Sequence, residues 1–150
     1  MNFAGSIFSR ILDRLRDRRP LPEIRMRVTN LTRQTELANC IVLADRGETR
    51  RKGLLGRDRL SANEGLWIVP CEAVHTFGMR FSIDLVYLDR RCVVRKVRRE
   101  VAPWKLSGCL TAHSVLELAP GTILETQTQP GDTLELSTVS SAPSVLKEPL

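Results

Sequence analysis

Aromatic residues are scarce: Phe, Trp and Tyr together make up 5% of the 150 residues, with a single tyrosine. No basic patch is interleaved with Phe or Tyr as base-stacking surfaces require, so nucleic acid is an unlikely partner. No C-x-x-C pair occurs among the four cysteines, Cys40, Cys71, Cys92 and Cys109. Nothing marks the chain as secreted, and reduced thiols in a cytosolic protein are expected rather than a disulfide framework. Cys40 and Cys92 stand among β-branched neighbours and read as core fillers. No apolar run approaches the roughly 20 residues of a membrane span. There is no internal repeat.

What is present suits one folded domain. The apolar fraction is 42%, ordinary for a globular chain. The net charge of +6 is mostly arginine surplus and favours contact with an anionic partner without specifying a fold. Residues 3–19, FAGSIFSRILDRLRDRR, place Phe3, Ile7, Phe8, Ile11, Leu12 and Leu15 at helical spacing with arginines between. This predicts a basic amphipathic helix over residues 1–20, which would lie on an anionic membrane surface, dock to a protein partner or pack on its own domain. Ser9, Arg10 and Asp13 break any signal-peptide apolar region. The expected location is therefore cytoplasmic, peripheral to the inner membrane if the helix binds lipid.

Residues 21–139 are expected to form the folded domain and 140–150, rich in Ser, Pro and Ala, a disordered tail. Ile24, Met26 and Val28 alternate with polar residues as in a half-buried strand. Leu37–Ala44 is nearly continuous in apolar residues and reads as a central strand covered on both faces. Thr49 is a candidate N-cap for a short helix to Leu55, with Gly53 or Gly56 at its end. Leu66–Val69, Ile83–Leu88, Cys92–Val101, Val115–Leu118 and Leu134–Val139 read as further strands. Pro120-Gly121 and Pro130-Gly131 mark turns, with one helical turn over Thr122–Thr126 between them. About seven short strands with one or two short helices predict a mainly β, barrel-like antiparallel or mixed sheet.

Three blocks, RRKGLLGRDRLSANEGLWIVPC, VHTFGMRFSIDLVYLD and SVLELAPGTILETQTQPGDTL, resemble the DUF192 (UPF0127) family of small bacterial and archaeal proteins, over about Asn39 to Leu136. The resemblance implies a compact, mainly β barrel-like domain with short helices. It implies no activity, because that family is one of unknown function. Ser82 departs from the pattern, standing where many relatives carry Pro before the Ile-Asp pair.

Two carboxylates embedded in apolar strands, Asp84 and Glu117, each need a partner or access to water. A tight turn centred on Phe81 would set Gly78 opposite Asp84 and His75 opposite Tyr87. His75 and Asp84 would then face opposite ways, which disfavours a His-Asp dyad. In that register Arg80 shares the Asp84 face, and the carboxylate is held by Arg80 or by backbone N–H groups. Glu117 shares a face with Val115 and is expected to pair with Arg57 or Arg80. Cys71 and His75 are four residues apart, but Pro70 argues against the helical face that a zinc pair at this spacing would exploit. Only Cys109, His113 and Asp84 are at hand as further ligands, so neither a metal nor a cofactor is expected. Arg50, Arg51, Lys52 and Arg57 bracket Gly53 and Gly56, a pattern that can bind anions but is not a P-loop. Met79 and Phe77 are assigned to the core or a pocket wall, and Glu64-Gly65 and Pro130-Gly131-Asp132 to turns, with Asp132 capping its own.

The leading expectation is a non-catalytic domain that binds a small polar or anionic ligand or a peptide through Asp84, His75, Arg57, Arg80, Glu117 and Cys71. The alternatives are an enzyme with Asp84 or His75 as general base on a carbohydrate-like or acyl substrate, and an accessory protein docked to a membrane assembly through its N-terminal helix.

Overall fold

Alternation decides the strands of this computed structural model, which describes residues 24–139. In β1 (Arg25–Asn30) Met26, Val28 and Asn30 are buried and the residues between them are not. It pairs with β2 (Thr35–Ala44), which runs parallel to β3 (Glu64–Ile68) through a crossover carrying α1 (Gly47–Lys52). Next come β4 (Ala73–His75), β5 (Ile83–Leu88), β6 (Val94–Val101), β7 (Leu106–Gly108) and β8 (Ser114–Leu118). A short α2 (Thr122–Thr126) and β9 (Leu134–Thr138) complete the order. Seven strands form one mixed sheet in the order β6-β5-β8-β3-β2-β1-β9, while β4 and β7 pair as a separate ribbon. Only the β2–β3 pairing in the large sheet is parallel.

The large sheet curls into a half-barrel. Its two ends meet where Val93, just before β6, bridges Thr133, just before β9. Here Val94 N–H donates to the Asp132 carbonyl at 2.8 Å and Leu134 N–H to that of Cys92 at 2.9 Å. One face packs Val28, Ile41, Val86, Leu88, Leu116 and Leu118 around Ile123 of α2. The other packs Leu66, Ile68, Leu85, Tyr87 and Val115 beneath the ribbon's Val74 and the crossover's Leu54 and Leu60. All six residues of β5 are buried because both of its faces are covered.

Several expectations change. The predicted helix from Thr49 begins earlier, at Gly47, with Arg46 as N-cap; the Thr49 hydroxyl instead donates back to the Arg46 carbonyl at 3.0 Å. Gly53 does end it, with φ of 48°. The hairpin centred on Phe81 does not form: β4 pairs with β7, and β5 lies between β6 and β8. Glu64-Gly65 opens a strand rather than a turn. Gly65 is pressed so closely on β8 that an added Cβ would lie 2.6 Å from the Glu117 carbonyl oxygen. Cys40 and Cys92 are half-buried and outside both cores, whereas Cys71 and Cys109 pack against the core under the ribbon. Asp132 does cap its own turn, accepting from Gln129 N–H at 3.1 Å, and its carboxylate also accepts from Asn30 and Arg33. The expected N-terminal helix and C-terminal tail lie outside the described residues.

Candidate functional site

Glu117 stands on β8 opposite Leu66 of β3 on one side and Leu85 of β5 on the other, so its side chain emerges on an apolar face. It is 4% exposed, and its Oε2 has no hydrogen-bond partner among the described residues. Burial pushes its carboxyl from an ordinary 4.5 up to about 7. The residue forms part of the wall of a cleft of about 550 Å³ between α1 with the loop following it and the Pro70–His75 segment. Ile68 and Met79 contribute apolar wall.

Gly53 keeps the carboxyl reachable: a Cβ there would lie 4.0 Å from Oε2, and the positive φ disfavours any side chain. Arg50, Arg51 and Lys52 of α1 form the basic side of the cleft. Arg50 Nη1 donates to the carbonyls of Asp45 at 2.8 Å and Val69 at 3.2 Å, tying the helix to the end of β3. Arg51 Nε donates to the Gly47 carbonyl at 3.0 Å, while Lys52 is exposed. On the facing side the Cys71 thiol donates to the Ala73 carbonyl at 3.2 Å. Burial pushes that thiol's pKa up, and the Glu117 charge adds to the effect. It is therefore a poor thiolate nucleophile.

Of the six candidates, Cys71, His75 and Glu117 gather at this cleft. Asp84 does not. It points to the other face of the sheet, is fully buried, and its two oxygens accept from Glu100 N–H and Ile123 N–H, both at 2.8 Å. The backbone alternative for Asp84 is the one realised. Arg80 is exposed and ion-paired with Asp58, and Arg57 is exposed in the crossover; neither pairs with Glu117. Among the described residues, no three of His, Cys, Asp and Glu gather as a metal site.

The sequence reading missed the ribbon. Phe77, assigned to the core or a pocket wall, is 44% exposed and stacks between His75 and Trp104, with centroids at 5.1 and 6.0 Å. The one available signal was a tryptophan after proline, Pro103-Trp104, following the charged run of residues 95–100.

The family model for DUF192, described as an uncharacterised conserved family, matches residues 28–136. The chain belongs to the DUF192 family. Two solved structures share the DUF192 fold seen here. One, from Sinorhizobium meliloti, is a protein put forward as a transcription regulator. It superposes with a TM-score of 0.66 at 21% identity, covering 76% of this chain and 93% of that one. The other, a protein of unknown function from Novosphingobium aromaticivorans, gives 0.65 at 19% identity, covering 77% and 89%. Among curated proteins none matches.

Proposed function

We propose that this DUF192 domain is a binding module whose cleft takes a small anionic or polar ligand, or the end of a peptide, with Glu117 as the orienting group. The observation that carries this reading is the buried Glu117 Oε2, which has no partner among the described residues. An unpaired buried polar atom raises the free energy of the empty state, and a ligand group placed beside it removes that cost. With its pKa near 7, Glu117 donates as the acid or accepts as the carboxylate. The exposed cations of α1 supply the attraction for an anion. Asp84, with both oxygens taken, serves the fold in this reading, and Arg57 and Arg80 stand outside the cleft.

A second reading is favoured by the same pKa: Glu117, in a cleft that His75 also lines, has the proton affinity of a general acid or base acting near neutral pH. A thermal-shift screen of small carboxylates, phosphates and polyols on wild type and Glu117→Gln separates these cases. A stabilising compound class whose effect disappears in the variant supports binding at the cleft, and conversion of that compound by wild type alone would favour the enzyme. Equal stabilisation of both proteins would place the ligand elsewhere and end both readings.

A further inference from the structure

Leu106, in the ribbon, and Trp104, two residues before its second strand, are 72% and 70% exposed. Leu106 lies directly opposite His75 in the β4–β7 pairing, and His75 continues through Phe77 to Trp104 as a ring stack. Val74 and Ser107, the next pair along, are buried, so His75 and Leu106 face outward. Trp104 is fixed in this position: its N–H donates to the Thr76 carbonyl at 3.0 Å, and the Thr76 hydroxyl donates to Ala102 at 2.7 Å and accepts from Lys105 N–H at 2.9 Å. Lys96 Nζ and the Tyr87 hydroxyl hold the ribbon from below through Gly108 and Ser107. Three of the eight large hydrophobics exposed among the described residues therefore share one rigid surface. A contiguous exposed patch of this kind marks an interaction site.

We infer that this outer ribbon face docks on an anionic lipid surface. Charge selects that occupant. Lys105, itself exposed, sits between the two most exposed members of the patch, and Arg98 is exposed on β6, while Lys96 is engaged beneath the ribbon; Glu72 is the only acid in residues 72–77 and 104–110. A second copy seated face to face would bring two positively charged faces together. An anionic membrane satisfies both components, since indole favours the lipid–water boundary and leucine the acyl region beneath it, while the cations meet headgroups. The surface shares His75 with the rim of the cleft but includes neither the Glu117 carboxyl nor the α1 cations, and its test varies Trp104, Lys105 and Leu106 alone, so the failure of either idea leaves the other standing.

The test is flotation of the full chain with vesicles of phosphatidylcholine alone or with about one-third phosphatidylglycerol, together with tryptophan emission. Wild type is expected to float with the anionic vesicles and its emission to shift to the blue, with no shift in Trp104→Phe, which retains Trp67. Trp104→Ser/Leu106→Ser should lower partitioning about tenfold or more. Lys105→Glu, which keeps the apolar face, should lower it as well. Because all three side chains are solvent-facing, the variants should melt as wild type does. Undiminished flotation of the double variant, or an emission shift that survives in Trp104→Phe, overturns the proposal by assigning binding to another segment. A concentration-dependent dimer abolished by the double variant, without lipid binding, overturns it in favour of a second copy.

Discussion

Glu117→Gln should stabilise the protein at alkaline pH and leave it nearly unchanged in acid. The folded-state carboxyl is raised from 4.5 to about 7, so between those values the folded protein holds a proton that the unfolded chain has released. Stability therefore falls as pH rises through this window. Each pH unit between the two values corresponds to about 1.4 kcal/mol, so the ionised group costs the fold about 3 kcal/mol once pH exceeds both. Glutamine has the same shape and no charge, and it recovers most of that at about pH 8.5 and little at about pH 4.5. Its amide is no better paired than the protonated carboxyl it replaces, so the gain at the higher pH is about 2–3 kcal/mol and the effect at the lower is small. Urea unfolding of both proteins at the two pH values measures the difference directly. A variant that differs from wild type by the same amount at both pH values would show that Glu117 is not desolvated as its apolar surroundings require.

The other predictions follow from single contacts. Asp84→Asn turns one of two accepting oxygens into a donor facing a backbone N–H, at Glu100 or Ile123; a loss of about 2–4 kcal/mol is expected in urea unfolding, and a loss under about 0.5 kcal/mol would refute the assignment of Asp84 to the fold. Gly65→Ala drives a methyl to 2.6 Å from both the Glu117 carbonyl oxygen and Ile41 Cδ1; a cost of about 1–3 kcal/mol or more should appear as a lowered melting temperature. For Asp132, burial works to raise the carboxyl's pKa, but hydrogen bonds from Asn30, Gln129 and Arg33 outweigh it and hold the group below 3.8. The stability this contributes is present above 3.8 and lost as pH falls through the lower folded value. Melting curves of Asp132→Asn should accordingly lose less stability than wild type over that acid range.

Apolar strands declared themselves. Met26 and Val28 alternate with less buried residues, whereas the Ile83–Leu88 and Val115–Leu118 runs lie in strands buried at every position. All three are close to the expected ones, because alternation and short apolar runs are both local signals that survive whatever the sheet order is. The ribbon could not be read this way: β4 and β7 have three residues each, too few for a period, and they pair across a sequence separation that local spacing does not encode. Losing β4 to that ribbon also defeated the hairpin register. The conclusion that His75 and Asp84 stay apart holds, for a different reason: His75 belongs to the ribbon's outer face and Asp84 to the opposite side of the large sheet. Glu117 was legible as a buried carboxylate sharing a face with Val115, but its partner was not. Arg50 and Arg51 spend donors on backbone carbonyls, and Arg80 pairs with Asp58; sequence shows the supply of cations and not how they are engaged.

The contrast between the two buried carboxylates argues for the cleft. Asp84 and Glu117 are 0% and 4% exposed, yet Asp84 receives two backbone N–H donors at 2.8 Å while Glu117 Oε2 receives none. Asp84 thereby ties the first turn of α2 and the irregular end of β6 to β5, and its burial is explained by the fold. No described residue accounts for Glu117 Oε2 in that way. Its cross-strand neighbours Leu66 and Leu85 would suit an apolar residue better, and replacing a poorly compensated buried charge by a side chain of similar volume is often neutral or stabilising by about 1–4 kcal/mol. Glu117→Leu should therefore melt at or above the wild-type temperature at neutral pH while losing stabilisation by any cleft ligand. A marked fall in its melting temperature would mean that the carboxyl serves packing after all, and the case for a ligand at this position would fail with it.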